Sequence, residues 1–237
     1  MRTTIVVPVF NEEKRLRVGE LGPLLARGQL LFADNGSTDG TARLLEEFCR
    51  REARAKLCSL PGAGGKAEAV RQGMRAALAD GAEVTGYYDA DMATPPAEMA
   101  RVIEAVERGA QVALGTRLVR PGARIERPFV RRVLGRIFAA LASRTLGLRI
   151  RDTQCGAKAF RAGPALDRAL ERPFSARWAF DVELIGRLVQ AGTPAGGIVE
   201  VLLAEWRDVA GSKLRPSDFP RMGLELLRIR SALARQR

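Results

Sequence analysis

Apolar positions in the first 116 residues fall into short runs separated by stretches with helical spacing. Thr3-Thr4-Ile5-Val6-Val7-Pro8-Val9 is one such run, and the pattern predicts strands near 3–9, 29–33, 55–60, 84–88 and 111–115. Between them, apolar residues recurring every three or four positions predict helices near 12–26, 38–51, 66–80 and 96–108. Turn chemistry agrees with these boundaries: Asn35-Gly36-Ser37-Thr38-Asp39-Gly40 follows the second strand, Pro95-Pro96 opens a helix, and Gly81 suits a helix C-cap. This βαβα alternation predicts an α/β fold with a mostly parallel central sheet covered on both faces.

Beyond residue 116 the rhythm stops. Residues 128–146 place Phe129, Val133, Ile137 and Leu141 on one helical stripe, with Arg131, Arg132, Arg136 and Arg144 largely elsewhere. Such a helix suits a membrane interface, and it equally suits packing on a core with a solvated face. A second basic amphipathic stretch runs from Phe219 to Arg237. No repeat or clear linker interrupts the chain, so residues 1–237 are expected to form one domain, with a first half over 1–116 and a second over 117–237.

Charge changes this picture more than composition does. The 237 residues carry 39 Lys and Arg against 27 Asp and Glu, for a net charge of +12. Residues 1–116 hold 15 basic and 16 acidic groups, whereas residues 117–161 hold 12 and 2, and residues 207–237 hold 8 and 3. The excess therefore sits in two segments of the second half, and an acidic partner is expected there. With no His, acid–base work falls to carboxylates and any metal is expected to be oxygen-liganded. Cys49, Cys58 and Cys155 form no CxxC pair, which argues against a disulfide framework and for a reducing compartment. The longest stretch without Asp, Glu, Lys or Arg is Leu188 to Val199, and Met1-Arg2 runs straight into a strand-like segment. Neither a membrane span nor a secretory signal is expected.

Candidate chemistry gathers at the ends of the predicted strands. Tyr87-Tyr88-Asp89-Ala90-Asp91 ends one with two carboxylates two residues apart, which an extended backbone points the same way, toward one divalent cation. Pro8-Val9-Phe10-Asn11-Glu12 follows the first strand, and Asp34-Asn35-Gly36-Ser37-Thr38-Asp39-Gly40-Thr41 follows the second. In these three motifs and their order the chain resembles family 2 glycosyltransferases of the GT-A type, a Rossmann-like nucleotide-sugar-binding fold. Arg151-Asp152-Thr153-Gln154-Cys155-Gly156-Ala157-Lys158, then Trp178-Ala179-Phe180-Asp181-Val182-Glu183, then Trp206 and Gly211-Ser212-Lys213 resemble the dolichyl-phosphate β-glucosyltransferases and their polyprenyl-phosphate relatives. The likeness runs from about Thr4 to Leu214. Three departures stand out: Asn35 replaces a second Asp, Ala157 replaces an aromatic residue, and the N-terminal anchor of the eukaryotic enzymes is not expected here.

The resemblance implies inverting transfer of a hexose, glucose favoured, from a nucleotide sugar, UDP-glucose favoured, to a polyprenyl or dolichyl phosphate. Asp91, with Asp89, is expected to hold Mg²⁺ or Mn²⁺ on the diphosphate, assisted by Lys66. Pro8, Asn11, Glu12 and Asp34 are expected around the nucleoside. Arg117, Arg131, Gln154 and Lys213 are assigned to the acceptor and its phosphate, and Asp152 or Asp181 to proton acceptance if the acceptor is a hydroxyl. An ionised acceptor phosphate needs cations more than a base, and the basic segment supplies them. The expected setting is the cytoplasmic face of an anionic membrane, bound peripherally. The alternatives are another donor such as GDP-mannose, or a soluble hydroxyl acceptor. A nucleic-acid partner is disfavoured, because aromatic residues lie in apolar runs rather than among the basic ones and no binding motif is present. The motifs leave the oligomeric state open.

Overall fold

A computed structural model describes residues 1–61, 64–209 and 218–235. Its seven-stranded sheet contains β1 (Thr3–Val9), β2 (Gln29–Asp34), β3 (Ala55–Ser59), β4 (Val84–Tyr88), β5 (Val112–Thr116), β7 (Ala157–Arg161) and β8 (Ile198–Leu202), in the order β3-β2-β1-β4-β7-β5-β8. β1, β2, β3 and β4 pair in parallel, as do β5 and β8. The five expected strands are all present, and their mostly parallel arrangement is the expected one. The β-branched runs suit strands buried on both faces: all seven residues of β1 but Pro8, and every residue of β4 and β5, are buried.

Helices cover the two faces with separate apolar layers. On one side α1 (Gly22–Leu25), α2 (Thr41–Arg51) and α4 (Pro96–Glu107) pack over residues such as Ile5, Phe32 and Tyr88. On the other, α3 (Gly65–Ala79), α5 (Phe129–Leu146), α6 (Pro164–Glu171), α7 (Phe180–Gln190) and α8 (Phe219–Arg235) enclose Val6, Tyr87 and Phe160. β6 (Arg124–Glu126) and β9 (Glu205–Arg207) form a small parallel ribbon.

Two expectations need correction. The helix expected over 12–26 is a tight turn, a 3₁₀ segment at Val18–Glu20 and the four-residue α1. Arg15 and Leu16 N–H groups both close on the Glu12 carbonyl at 2.9 Å. Pro23 sits in the first turn of α1, where its missing N–H and its ring start a new helix and bar a continuous one. The other correction is β7, an antiparallel strand inserted between β4 and β5, which the pattern did not predict. It carries Lys158 with no exposed surface at all, a residue type that local patterning assigns to solvent.

Antiparallel β7 decides where the site forms. Its N-terminal end lies beside the C-terminal ends of β4 and β5, with Ala157 opposite Tyr88. Residues 152–156 are thus delivered to the edge where open α/β sheets bind ligands.

Candidate active site

A cleft of about 870 Å³ opens along this edge. Pro8 comes to it from β1, Asp89 and Asp91 from beyond β4, Lys66 from the start of α3, Gln154 and Gly156 from the approach to β7, and Asp181 from the start of α7.

At one end Asp89 meets Lys66, with Nζ 2.6 Å from Oδ1. The ammonium also lies 5.9 Å from the ring centroids of Tyr87 and of Phe180. Burial works against the Lys66 charge, but the carboxylates of Asp89 and Asp181 outweigh it and hold the lysine above its ordinary pKa. Burial likewise opposes the Asp89 charge, and Lys66 and Lys158 overcome it, keeping this carboxyl below its usual value. Asp91 goes the other way, raised by burial and by the negative charge of Asp89. Room for Asp89 comes from Gly156: a methyl group there would collide with the carboxylate, and the Asp89 N–H donates to the Gly156 carbonyl at 2.9 Å. Met92, next to Asp91, has φ 55°, a left-handed backbone that costs a non-glycine residue energy and turns the chain tightly beside the pair. Asp89 Oδ1 is buried and receives no well-aligned hydrogen bond among the described residues, its close neighbour being the Lys66 ammonium. Two neighbouring carboxylates, one ion-paired through Oδ1 to Lys66 and the other raised by the negative charge of the first, fit a hard divalent cation, whose charge would relieve their repulsion and which would take its other oxygens from phosphate and water. No cluster of three or more carboxylate, thiol or imidazole ligands occurs among the described residues.

The floor is ionic. Lys158 donates to the Cys155 carbonyl, lies 3.5 Å from Asp181 Oδ1 and stands 5.0 Å from the Tyr87 ring centroid. The Tyr87 hydroxyl donates to the same Asp181 oxygen. Burial, then Asp181, pushes the Tyr87 phenol well above its ordinary pKa, so it remains a donor. Glu225 of α8 accepts the N–H groups of Arg177, Trp178 and Ala179 at 2.8 to 3.1 Å and so fixes the entry to α7.

Arg117, Arg131 and Arg127 line the same cleft. Arg117 grips Asp152 with Nε to Oδ2 at 2.7 Å and Nη2 to Oδ1 at 2.9 Å, and adds its backbone N–H at 3.1 Å. Its guanidinium stacks 5.2 Å from the Trp206 ring centroid. Burial opposes the Asp152 charge, yet Arg117 holds this carboxyl far below the usual carboxylate range. Glu200 on β8 sets the approach by accepting from Thr116 Oγ1, from the Arg151 N–H and from the Asp152 N–H at 2.9 to 3.3 Å. Arg131 pairs with Asp208, Nη1 lying 2.8 and 3.0 Å from its two oxygens. Arg127 also lines the cleft. Burial, then repulsion from Arg117, pulls its guanidinium down to about 10.

Residues 4–167 match the family model described as glycosyl transferase family 2. The chain belongs to that family. The human dolichyl-phosphate β-glucosyltransferase is 30% identical over 96% of this chain and 74% of its own length. The polyprenol monophosphomannose synthase of Mycolicibacterium smegmatis is 28% identical over 92% of this chain and 83% of its own. Among solved structures, the mannosyltransferase of Pyrobaculum calidifontis in complex with GDP-Man and Mn²⁺ superposes with a TM-score of 0.57, at 16% identity over 98% of this chain and 73% of that one. That likeness shows the fold.

Against this family 2 architecture, the structure brings Pro8, Glu12, Lys66, Asp89, Asp91, Arg117, Arg131, Gln154 and Asp181 together around one cleft. Asn11 and Asp34 stand behind its edge. Asn11 (φ 54°) accepts the Thr38 N–H at 2.8 Å and joins β1 to the turn after β2. Asp34, 5% exposed, accepts the Ser37 N–H and hydroxyl on Oδ1 at 3.1 and 2.5 Å, while Asn35 reaches the cleft. Glu12 is tied to Arg15 through two 2.7 Å hydrogen bonds. Asp152, expected to accept a proton if the acceptor is a hydroxyl, has both its oxygens engaged by Arg117 and by the Gln154 N–H. Lys213 lies outside the described residues. Sequence reading assigned no role to Lys158, Arg127, Glu200 or Glu225. Lys158 stood in a quoted motif, and its place within an apolar strand was the available signal.

Proposed function

We propose that this family 2 glycosyltransferase moves a hexose, glucose favoured, from a nucleotide sugar to the phosphate of a polyprenyl or dolichyl lipid at a membrane surface. The reading rests on one observation above the others: a single cleft carries a carboxylate pair with a lysine and, in the same lining, Arg117, Arg127 and Arg131. Such a cleft can seat two anionic reactants side by side. In the reaction, the bond from the anomeric carbon to the nucleoside diphosphate breaks as a bond to an acceptor phosphate oxygen forms. The acceptor is already ionised, so no side chain has to remove a proton. Lys66 neutralises charge near the leaving diphosphate, and Asp181, held by Tyr87 and Lys158, presents a fixed carboxylate to the sugar. Asp91 and Asp89 would hold Mg²⁺ or Mn²⁺, which when bound supplies charge neutralisation to the diphosphate.

Surface chemistry supports the membrane part. Phe129, Val130 and Ile137 on α5 are 68%, 60% and 54% exposed, and Val133 and Leu141 are exposed beside them. Phe138, Ala139, Ala142 and Leu146 supply the buried face instead. The stripe read from the sequence therefore points to solvent, flanked by exposed Arg136 and Arg144, as an interfacial helix requires. α8 exposes Leu224 and Leu227 in the same manner. No helix among the described residues is long and apolar enough to cross a bilayer.

The names of both curated relatives pair a sugar with a lipid phosphate, one glucose and one mannose. A panel of UDP- and GDP-sugars with a short polyprenyl phosphate and Mg²⁺ or Mn²⁺ tests the reading, together with flotation on anionic vesicles. Glycosylated lipid phosphate is the expected product. Transfer only to water-soluble acceptors, with no vesicle binding, would overturn it.

A further inference from the structure

Two carboxylates hold the backbone of one side of the cleft. Every residue from Pro173 to Asp181 except Ala179 lines it, and the stretch before Phe180 is neither helix nor strand. Five consecutive N–H groups there end on side chains. Glu183 accepts those of Ser175 and Ala176 at 2.8 to 3.2 Å, and Glu225 accepts those of Arg177, Trp178 and Ala179 at 2.8 to 3.1 Å. Glu183 is a local partner in the first turn of α7, steadied at 2.6 Å by Arg187. Glu225 comes from α8, 46 to 48 positions away from the groups it holds.

The reach of Glu225 is fixed by packing. At the far end of α7, Leu233 of α8 fills the space over Gly186, where a methyl group would come within 2.7 Å of its Cδ1. The Leu233 carbonyl accepts from Gln190 Nε2 at 2.7 Å. The two helices are thus keyed at both ends, which holds the Glu225 carboxylate in register with the start of α7. That start has no side-chain cap of its own. One distant carboxylate collects three donors there and opposes the positive end of the helix. The clamped residues carry the half-buried Trp178 ring and lead into Asp181, whose carboxylate meets Tyr87 and Lys158.

We infer that Glu225 is a positioning residue for sugar transfer, acting through the N–H groups of residues 177–179 to set where Trp178 and Asp181 stand in the cleft. This rests on the proposed placing of the sugar beside Asp181, and it makes α8 part of the site. A displacement of about 1 Å remote from the reacting atoms can cost about a hundredfold in rate. The residues expected around the nucleotide, Pro8, Asp89 and Asp91 among them, lie on β1 and beyond β4, so the clamp should act on turnover and leave nucleotide binding alone.

Steady-state kinetics of wild type, Glu225→Ala, Glu225→Gln and Ile103→Val test this, with the donor and acceptor that wild type uses, whichever class the acceptor belongs to. Calorimetry reads nucleoside diphosphate affinity. Acrylamide quenching in a Trp206→Phe background reads Trp178, then the one tryptophan left. Glu225→Ala should lower kcat by about tenfold to a hundredfold, keep nucleotide affinity and make Trp178 emission easier to quench. Glu225→Gln retains the volume and one acceptor oxygen; it should show the same changes in smaller measure, and it carries the test if the alanine variant does not fold. Ile103→Val, in the apolar layer on the other face of the sheet, should lower the melting temperature and keep kcat. Unchanged kcat or unchanged Trp178 quenching in the folded Glu225 variants overturns the inference. A loss of nucleotide affinity as large as the loss of kcat also overturns it, by making the clamp a support for the whole cleft. So does an Ile103→Val protein that loses kcat as far, by making stability the cause. Transfer by wild type to a soluble acceptor only overturns the lipid-phosphate reading and leaves the Glu225 comparison in force, whereas absence of any transfer by wild type overturns both.

Discussion

Replacing Asp152 by alanine strips a carboxylate that accepts four hydrogen bonds, two from the Arg117 guanidinium, one from the Arg117 N–H and one from the Gln154 N–H. The two side chains are only 10% and 11% exposed, so solvent screens the pair little. Breaking a buried pair by removing one partner costs about 3–5 kcal/mol, because the other charge is left uncompensated. The Trp206 face remains to Arg117, which places the expected loss near the lower end, about 3 kcal/mol. Urea denaturation of both proteins measures it. Because the folded-state pKa of Asp152 is depressed, its stabilisation is fully present above the unfolded value of about 3.9 and is lost as pH falls toward the folded value. The gap between wild type and Asp152→Ala should therefore hold steady from neutral pH down to about 5 and narrow in stronger acid. A variant within about 1 kcal/mol of wild type at pH 7, or a gap indifferent to acid, would refute the pairing argument. A variant of full stability that has lost turnover would restore Asp152 as a base.

Three further outcomes are expected. Asp91→Ala should cut Mg²⁺- or Mn²⁺-supported turnover by at least about a hundredfold, and should abolish any gain that the metal gives in nucleoside diphosphate affinity by calorimetry. Ile137→Glu together with Leu141→Glu, both on exposed positions, should leave the melting temperature in place and weaken flotation with anionic vesicles by about a hundredfold or more, since each buried aliphatic side chain is worth about 1.5–3 kcal/mol. Unchanged flotation would sink the docking role of α5. Lys158→Met, at a fully buried cation facing Asp181 and Tyr87, should destabilise by about 3–5 kcal/mol. Adding Asp181→Asn should recover part of that loss in a double-mutant cycle, and strict additivity would show the two groups to be uncoupled.

How far the chain could be read from its sequence depended on whether a signal was local. Asp89 and Asp91 were legible because an apolar strand runs straight into them and alternate residues of extended chain share a face. The stripe Phe129, Val133, Ile137 and Leu141 was legible as a stripe, but its direction was not, because Phe138 and Leu146 offer a second apolar face and only the packed structure says which is covered. Helix 12–26 failed where Glu12 is drawn into contacts with Arg15 and Thr41, the latter 29 positions away. Lys158 and Asp181 are a pair made by topology, as are Arg117 and Asp152. A residue whose counter-ion lies tens of positions away is indistinguishable, in sequence, from a solvated charge. Arg127 was hidden differently: several of the twelve basic residues between 117 and 161 have no carboxylate partner, and only the packed structure says which of them faces the cleft.

The same accounting divides the net charge of the chain between two tasks. Of the twelve basic residues in 117–161, three face the cleft and Lys158 lies beneath it. Arg151 is held by Glu200, and Arg161 donates to the Val106 carbonyl. Within the cleft, Asp89, Asp91, Asp152, Asp181 and Asp208 offset the cations almost one for one. The site is thus close to neutral, and the anion binding proposed for it would come from the placing of donors. Arg120, Arg124, Arg136, Arg144 and Arg149 are exposed and away from those carboxylate partners. At about 1 kcal/mol for each basic residue near an anionic bilayer, this group would supply the attraction that the proposed surface docking needs, and that attraction would fade within a Debye length and with added salt. Catalysis and docking should consequently respond differently to ionic strength: vesicle binding should fall steeply between low and physiological salt, while nucleotide affinity, set by buried and partly buried groups, should change little.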